Sequence, residues 1–81
     1  MNRHRVLLFA RYAELLGAEE VEVDLPDHAT IAMLIDALRA LPGGAVLPPK
    51  PIVARNLGVA APGDIIAPGD AFALLPPLAG G

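Results

Sequence analysis

One stretch limits the possible folds more than any other. From Thr30 the chain reads TIAMLIDALRAL, in which Ile31, Leu34, Ile35, Leu38 and Leu41 recur at steps of three and four residues. That spacing lines one stripe of a helix with apolar side chains and leaves its other side small or polar. Thr30 is of the type whose hydroxyl caps a helix start, and Pro42 with Gly43 is a stop signal. Asp36 and Arg39, three apart on the far side, predict a surface pair worth about 0.3 kcal/mol. A single helix cannot bury its own stripe, so the remaining segments must provide a surface to cover it.

Those segments read as strands. RVLLF, Arg5 to Phe9, is an apolar run of strand length, expected near the middle of a sheet. In ARYAELLG, which follows, Ala10, Ala13 and Leu16 have helical spacing and Gly17 can take the left-handed conformation that ends a short helix. EVEVDLP alternates, with Val21, Val23 and Leu25 on one side and Glu20, Glu22 and Asp24 on the other, the pattern of a half-buried strand ended by Pro26. PIVARN predicts a strand over 52–55. Ala71 to Leu75 predicts the last one, apolar on both faces. Between them APGD occurs twice, at Ala61 to Asp64 and Ala67 to Asp70, and both are expected to be type II turns. Residues 42–51 read as a Pro/Gly-rich loop in which Gly43-Gly44 is ordinary turn material. The expected architecture is α+β: a small mixed sheet with one long helix packed on one face, spanning residues 1–75, and a separate extended tail over 76–81.

Composition removes most kinds of chemistry. The 81 residues contain no Ser, Cys, Trp or Gln, one Thr (Thr30), one Tyr (Tyr12) and one Lys (Lys50). A Ser/His/Asp or Cys/His arrangement cannot be written from them. His4 and His28 lack the supporting ligand spacing of a metal site, so no metal is expected. The net charge is −3 and the six basic residues are scattered, which argues against a nucleic-acid partner. Six of the nine acids lie between Glu14 and Asp27, a solvated face or a docking surface for a basic partner. VLLFA is interrupted at once by Arg11 and Glu14, so the N-terminus is not read as a signal peptide, and no run reaches the ~20 apolar residues of a membrane span. The absence of cysteine suits a reducing compartment, and the cytoplasm is the expected location.

The remaining reactive group is at the C-terminus. Pro76 cannot donate a ladder hydrogen bond and Pro77 fixes a second backbone angle, so strand pairing is expected to stop there. Six residues from Pro76 to Gly81 reach roughly 20 Å, enough to thread an enzyme pocket. Gly80 and Gly81 lack a Cβ and make the thinnest thread a polypeptide can offer. A carboxylate on Gly81 is a poor electrophile until activated, most naturally by ATP as an acyl-adenylate that sulfide or a thiol can attack. A mean hydropathy of +0.53 is high for so small a chain and suggests apolar area available to a partner.

GDAFALLPPLAGG, VLLFARYAELLG and TIAMLIDAL together resemble the small subunit of molybdopterin synthase, a ubiquitin-like β-grasp sulfur carrier. The resemblance covers nearly the whole chain. It implies a β-grasp fold and a carrier that performs no catalysis itself and binds no cofactor tightly. It implies that a ubiquitin-activating-like enzyme uses ATP to adenylate Gly81, and that a sulfur donor protein then supplies the thiocarboxylate. Sulfur would pass to cyclic pyranopterin monophosphate in the large subunit, with two carriers on a dimer of large subunits, a heterotetramer. The same resemblance puts Pro76, Pro77, Leu78, Ala79 and Gly80 in the partner's channel, Phe9, Val59 and Leu75 at the interface, and Arg11 nearby. For Phe9 and Val59, packing in the core is the competing expectation. Alternatives are a sulfur carrier for thiamine, cysteine or another pathway, a ubiquitin-like protein modifier joined through Gly81, and a binding module with an inert tail.

Overall fold

The structure, a computed structural model, describes residues 1–48, 51–56 and 58–75. In chain order the elements are β1 (Asn2–Leu8), α1 (Arg11–Leu16), β2 (Glu20–Leu25), α2 (Ile31–Arg39), a 3-10 turn at Gly44–Val46, β3 (Ile52–Arg55), β4 (Gly58–Val59) and β5 (Phe72–Leu75). The five strands form one sheet in the order β2-β1-β5-β3-β4. β1 and β5 run parallel, and every other neighbouring pair is antiparallel. This mixed sheet, with α2 across one face, is the ubiquitin-like β-grasp arrangement expected from the sequence.

Alternation decides which side of the sheet is buried. His4, Val6 and Leu8 of β1, Val23 and Leu25 of β2, Val53 of β3, and Phe72 and Leu74 of β5 all point to the covered side. Ile31, Leu34, Ile35 and Leu38 of α2 meet them there. Each of the apolar side chains among them contributes roughly 1.5 to 3 kcal/mol relative to exposure. His4 is the one buried polar side chain among the described residues, and its ring meets Phe72 edge-on at 5.9 Å between centroids.

The start of α2 is fully satisfied without charge. Its first amides donate to Asp64 O (3.0 Å, from Ile31), Pro62 O (3.0 Å, from Ala32), Thr30 Oγ1 (3.3 Å, from Met33) and Thr30 O (3.1 Å, from Leu34). Two of those acceptors lie in the first APGD turn, which is thereby fastened to the helix. Ile66 N donates back to Ala29 O at 2.8 Å, and Thr30 bridges Ile65.

Several expectations are corrected. The middle strand is β5, with β1 beside it; β1 begins at Asn2 and ends at Leu8, so Phe9 lies outside it. α2 ends at Arg39, and Leu41, half-buried beyond it, is the residue that Pro42 disfavours in helical conformation. Arg39 does not pair with Asp36: its guanidinium donates to the Leu47 carbonyl and holds the following loop under the helix. Only the second APGD turn has its glycine in the left-handed region, Gly69 at φ 86°. Gly63 is absent from that region because the central peptide of its turn is oriented by the Ala32 amide, so the first turn is not type II. Two-residue β4 is an element that the sequence did not predict, because a pair of residues carries no periodicity. In α1 Tyr12 is buried, and Ala13 and Leu16 pack partly buried against the same core.

The Gly43-Gly44 pair also has a definite role. Gly43 has φ 85° and any Cβ there would overlap the Leu15 carbonyl oxygen; a Cβ on Gly44 would overlap that of Leu38. The pair lets the chain pass between the ends of α1 and α2 and deliver Leu47 to the core, where it is 2% exposed. Gly44→Ala and Gly43→Ala are therefore expected to destabilise the domain by about 1–3 kcal/mol, by overpacking and, for Gly43, backbone strain. Gly63→Ala, with nothing within 4 Å of its Cβ position, should change stability far less. Urea unfolding midpoints of the three variants check this ordering.

Candidate functional site

The sheet face away from α2 divides into two halves. On one, Arg3, Arg5, Glu20, Glu22 and Asp24 form a ladder of exposed charges on β1 and β2. Arg3 Nε meets Asp24 Oδ1 at 3.2 Å and Arg5 Nε meets Glu20 Oε1 at 2.7 Å. The hydrogen bond that Arg3 donates to Asp24, with the charges of Asp24 and Glu22, raises the Arg3 pKa above its already high ordinary value. Such solvated pairs add little stability and mainly keep this half wet.

The other half is apolar. Register places Leu7, Ala73, Ala54 and Val59 in one row across β1, β5, β3 and β4. Leu75 and Ile52 pair in the next row. Phe9 follows Leu8, which pairs with Leu74, so it stands level with Leu75 where β1 has ended. Phe9 is 45% exposed and Val59 79% exposed, which excludes the expectation that they are core residues. Leu7 is 43% exposed. A contiguous apolar area of this kind, bordered by charge, is how a protein surface marks a contact site.

Of the residues that the sequence singled out, Phe9, Val59 and Leu75 are thus on one face. Arg11 is exposed at the first residue of α1, two positions past Phe9. Ala10 between them has φ 50° and ψ −126°, a conformation that costs a non-glycine residue about 1–3 kcal/mol and turns the chain sharply out of the sheet. Pro76, Pro77, Leu78, Ala79, Gly80 and Gly81 lie outside the described residues. Leu7, Ile52, Ala54 and Ala73 were missed as members of this face. Their signal is visible only once strands are paired, since each is an ordinary apolar residue in its own run.

The position of β5, and with it the point from which residue 76 departs, is set by a compact polar network. Asn56, at φ 49°, closes the end of β3. Its amide N–H donates to Ala71 O (3.0 Å), its side-chain oxygen accepts from Ala71 N (2.9 Å) and its side-chain nitrogen donates to Asp70 Oδ1 (2.9 Å). Asp70 Oδ2 accepts from Ala67 N at 2.9 Å, closing the second APGD turn. The Ala67 amide, helped by Asn56, holds the Asp70 carboxyl below its ordinary pKa. Among the described residues no three His, Cys, Asp or Glu side chains are placed to hold a metal ion, and no helix is long and apolar enough to cross a membrane.

Comparison with known proteins adds a family and a set of relatives. Residues 6–81 match the family model described as the ThiS family. Small archaeal modifier protein 1 of Haloferax volcanii is 37% identical, over 91% of this chain and 95% of that protein. A crystal structure of SAMP1 from the same organism superposes with a TM-score of 0.82 at 34% identity, covering 99% of this chain and all of that one. A putative molybdopterin converting factor, subunit 1, from Pyrococcus furiosus superposes with a TM-score of 0.81 over 96% of this chain and all of that one; at 21% identity the likeness is one of fold.

The Asp70 network makes a pH prediction. A carboxyl whose folded pKa is depressed contributes its stability above its unfolded pKa of about 3.9 and loses it as pH falls through the folded value. Asp70→Ala should therefore lower stability at pH 7 by no more than about 1 kcal/mol, because its hydrogen bonds are solvent-exposed. The gap to the unmutated protein should hold down to about pH 5 and shrink on further acidification. Urea midpoints measured from pH 7 to pH 3 test both the size and the direction.

Proposed function

The chain belongs to the ThiS family of ubiquitin-like sulfur carriers and protein modifiers, and on that premise we propose that it is a modifier whose Gly81 carboxylate is activated and joined to protein amines. The observation that carries this reading is the 37% identity to a protein modifier along 91% of the chain. The chemistry follows from the end group. A Gly81 oxygen attacks the α-phosphorus of ATP and pyrophosphate leaves, giving a mixed anhydride on an adenylating enzyme. A neutral lysine amine of the target then attacks the carbonyl carbon, AMP departs with the bonding pair, and the nitrogen loses a proton to give an isopeptide bond. Gly80 and Gly81 suit this because nothing branches from the thread that enters the active site.

A second reading uses the same activated end. Sulfide or a persulfide donor in place of the amine yields a thiocarboxylate, and the run from Gly69-Asp70 through Pro76-Pro77 to Gly80-Gly81 favours molybdopterin synthesis as its destination. In either case ATP is consumed by the partner enzyme, the reactions belong in the cytoplasm, and no cofactor resides in the carrier. The apolar half of the open face, with Phe9, Val59 and Leu75 and with Arg11 at its border, is the surface offered to the adenylating enzyme and to a synthase large subunit. Pro76 to Ala79 are the residues of the sequence between Leu75 and Gly80-Gly81.

With ATP, the cognate adenylating enzyme and a lysine-bearing target, intact mass should show the carrier added to the target with loss of one water. Supplying sulfide or a sulfur donor instead should exchange one terminal oxygen for sulfur under the second reading. Deleting Gly81, or adding a residue after it, should reduce either product below detection while leaving the melting temperature unchanged. Persistence of product in either variant rejects a terminal-carboxylate mechanism. Val59→Asp, at a residue already exposed, should weaken binding to the adenylating enzyme about tenfold with little change in stability; unchanged binding removes Val59 from the interface.

A further inference from the structure

The sheet ends at β2, and the register shows which backbone groups that edge leaves unpaired. Leu8 N donates to Glu19 O at 2.8 Å, so Leu8 and Glu19 are a hydrogen-bonded pair of the antiparallel ladder. In steps of two from there, Val6 with Val21, His4 with Val23 and Asn2 with Leu25 are the other hydrogen-bonded pairs. Glu20, Glu22 and Asp24 alternate with them, so their N–H and C=O groups point away from β1, off the end of the sheet. All three residues are exposed, β1 is the strand beside β2, and among the described residues no backbone hydrogen bond ties these groups to a loop or helix. Successive unpaired groups stand about 7 Å apart and form a template for one further strand. The opposite end of the sheet offers no equivalent, because β4 has only two residues.

Charge selects what that strand is. The three residues with free backbone groups are also the three carboxylates of the open face, set against two guanidiniums. Arg3 and Arg5 engage Asp24 and Glu20, while Glu22, directly opposite Arg5, forms no ion pair among the described residues. A second copy of β2 would set carboxylates against carboxylates, and an uncharged strand would leave them unanswered. A strand with a cation at every second residue places its charges on the same face as the acids. The residues between those cations fall on the covered side, where Val21 is half-buried against the core. We infer that the β2 edge is a docking site for an extended, basic segment of a partner protein, added to the sheet as a strand. Lysine or arginine at alternate positions faces Glu20, Glu22 and Asp24, and apolar residues between them cover Val21. β1 lies between this edge and the strands of the apolar half, and the inference holds whichever reaction Gly81 undergoes.

The test uses the full-length, isotopically labelled protein and synthetic peptides in which three lysines alternate with two valines between glycine and serine flanks. Titration of this peptide should shift the amide resonances of Glu20, Glu22 and Asp24 and slow their hydrogen exchange at least tenfold at saturation. A version with glutamate for lysine should bind at least tenfold more weakly. Two further versions carry backbone N-methyl groups, one on the lysines and one on the valines. Only one of these sets lies on the peptide edge that meets β2, so one version should bind at least tenfold more weakly than the other. Glu22→Gln, nearly isosteric and exposed, should weaken the lysine peptide about threefold. The inference is overturned by an absence of shifts on β2, by shifts confined to Leu7 and Ala73, or by equal binding of the lysine and glutamate peptides. Equal binding of the two methylated peptides overturns it as well, since that is charge attraction without strand addition, and so does unchanged affinity in Glu22→Gln. Shifts of the same resonances with protein concentration alone assign the edge to a second copy and also overturn it.

Discussion

Everything in the domain depends on how α2 is started. The first amides of a helix have no acceptor within it, and burying its stripe against a sheet would be costly if they stayed unmet. Here a capping hydroxyl on Thr30 meets one, and the carbonyls of Pro62 and Asp64, some thirty residues later in the chain, meet two more. These bonds do more than finish a helix. They bind the β4–β5 connection to the helix start, so the segment leading into the central strand and the helix lying over that strand are positioned by the same contacts. Asn56 and Asp70 complete the alignment at the other end of the connection.

With the covered face complete, the open face reflects what is left of each strand's alternation. β1 contributes Arg3 and Arg5 to the charged half and Leu7 to the apolar half, so one strand carries the boundary between them. The acids of β2 neutralise the arginines and discourage another strand from pairing with that exposed edge. The rest of the apolar half is made by β5, β3 and β4, the strands around residue 75. The apolar area therefore surrounds Leu75, the last residue that the structure describes.

Local periodicity was readable and non-local geometry was not. The stripe at Ile31, Leu34, Ile35 and Leu38, the alternation over 20–25 and the left-handed Gly17 each depend on a few neighbouring residues, and each is found in the fold. Leu47 sits in a loop by any local reading; it reaches the core only because Gly43 and Gly44 allow the chain to pass two helix ends. Arg39 was assigned to Asp36 by spacing along a helix, whereas the acceptor that it takes is a carbonyl eight residues on. At the candidate site, Phe9 and Val59 carried two equal interpretations until strand register showed them exposed. Leu7, Ala54 and Ala73 carried no signal at all, because membership of a patch is a property of pairing.

The order of the strands in space has a consequence for how the protein comes into being. The last strand among the described residues, β5, is the one that joins β2-β1 to β3-β4. A chain cut or still being synthesised short of Phe72 holds two separate hairpins, neither of which has the sheet that α2 must cover. Marginal two-stranded units of this kind do not persist alone in water. Assembly of the sheet thus waits for the segment that ends at Leu75. The strand that completes the core is thus the one that immediately precedes residues 76–81.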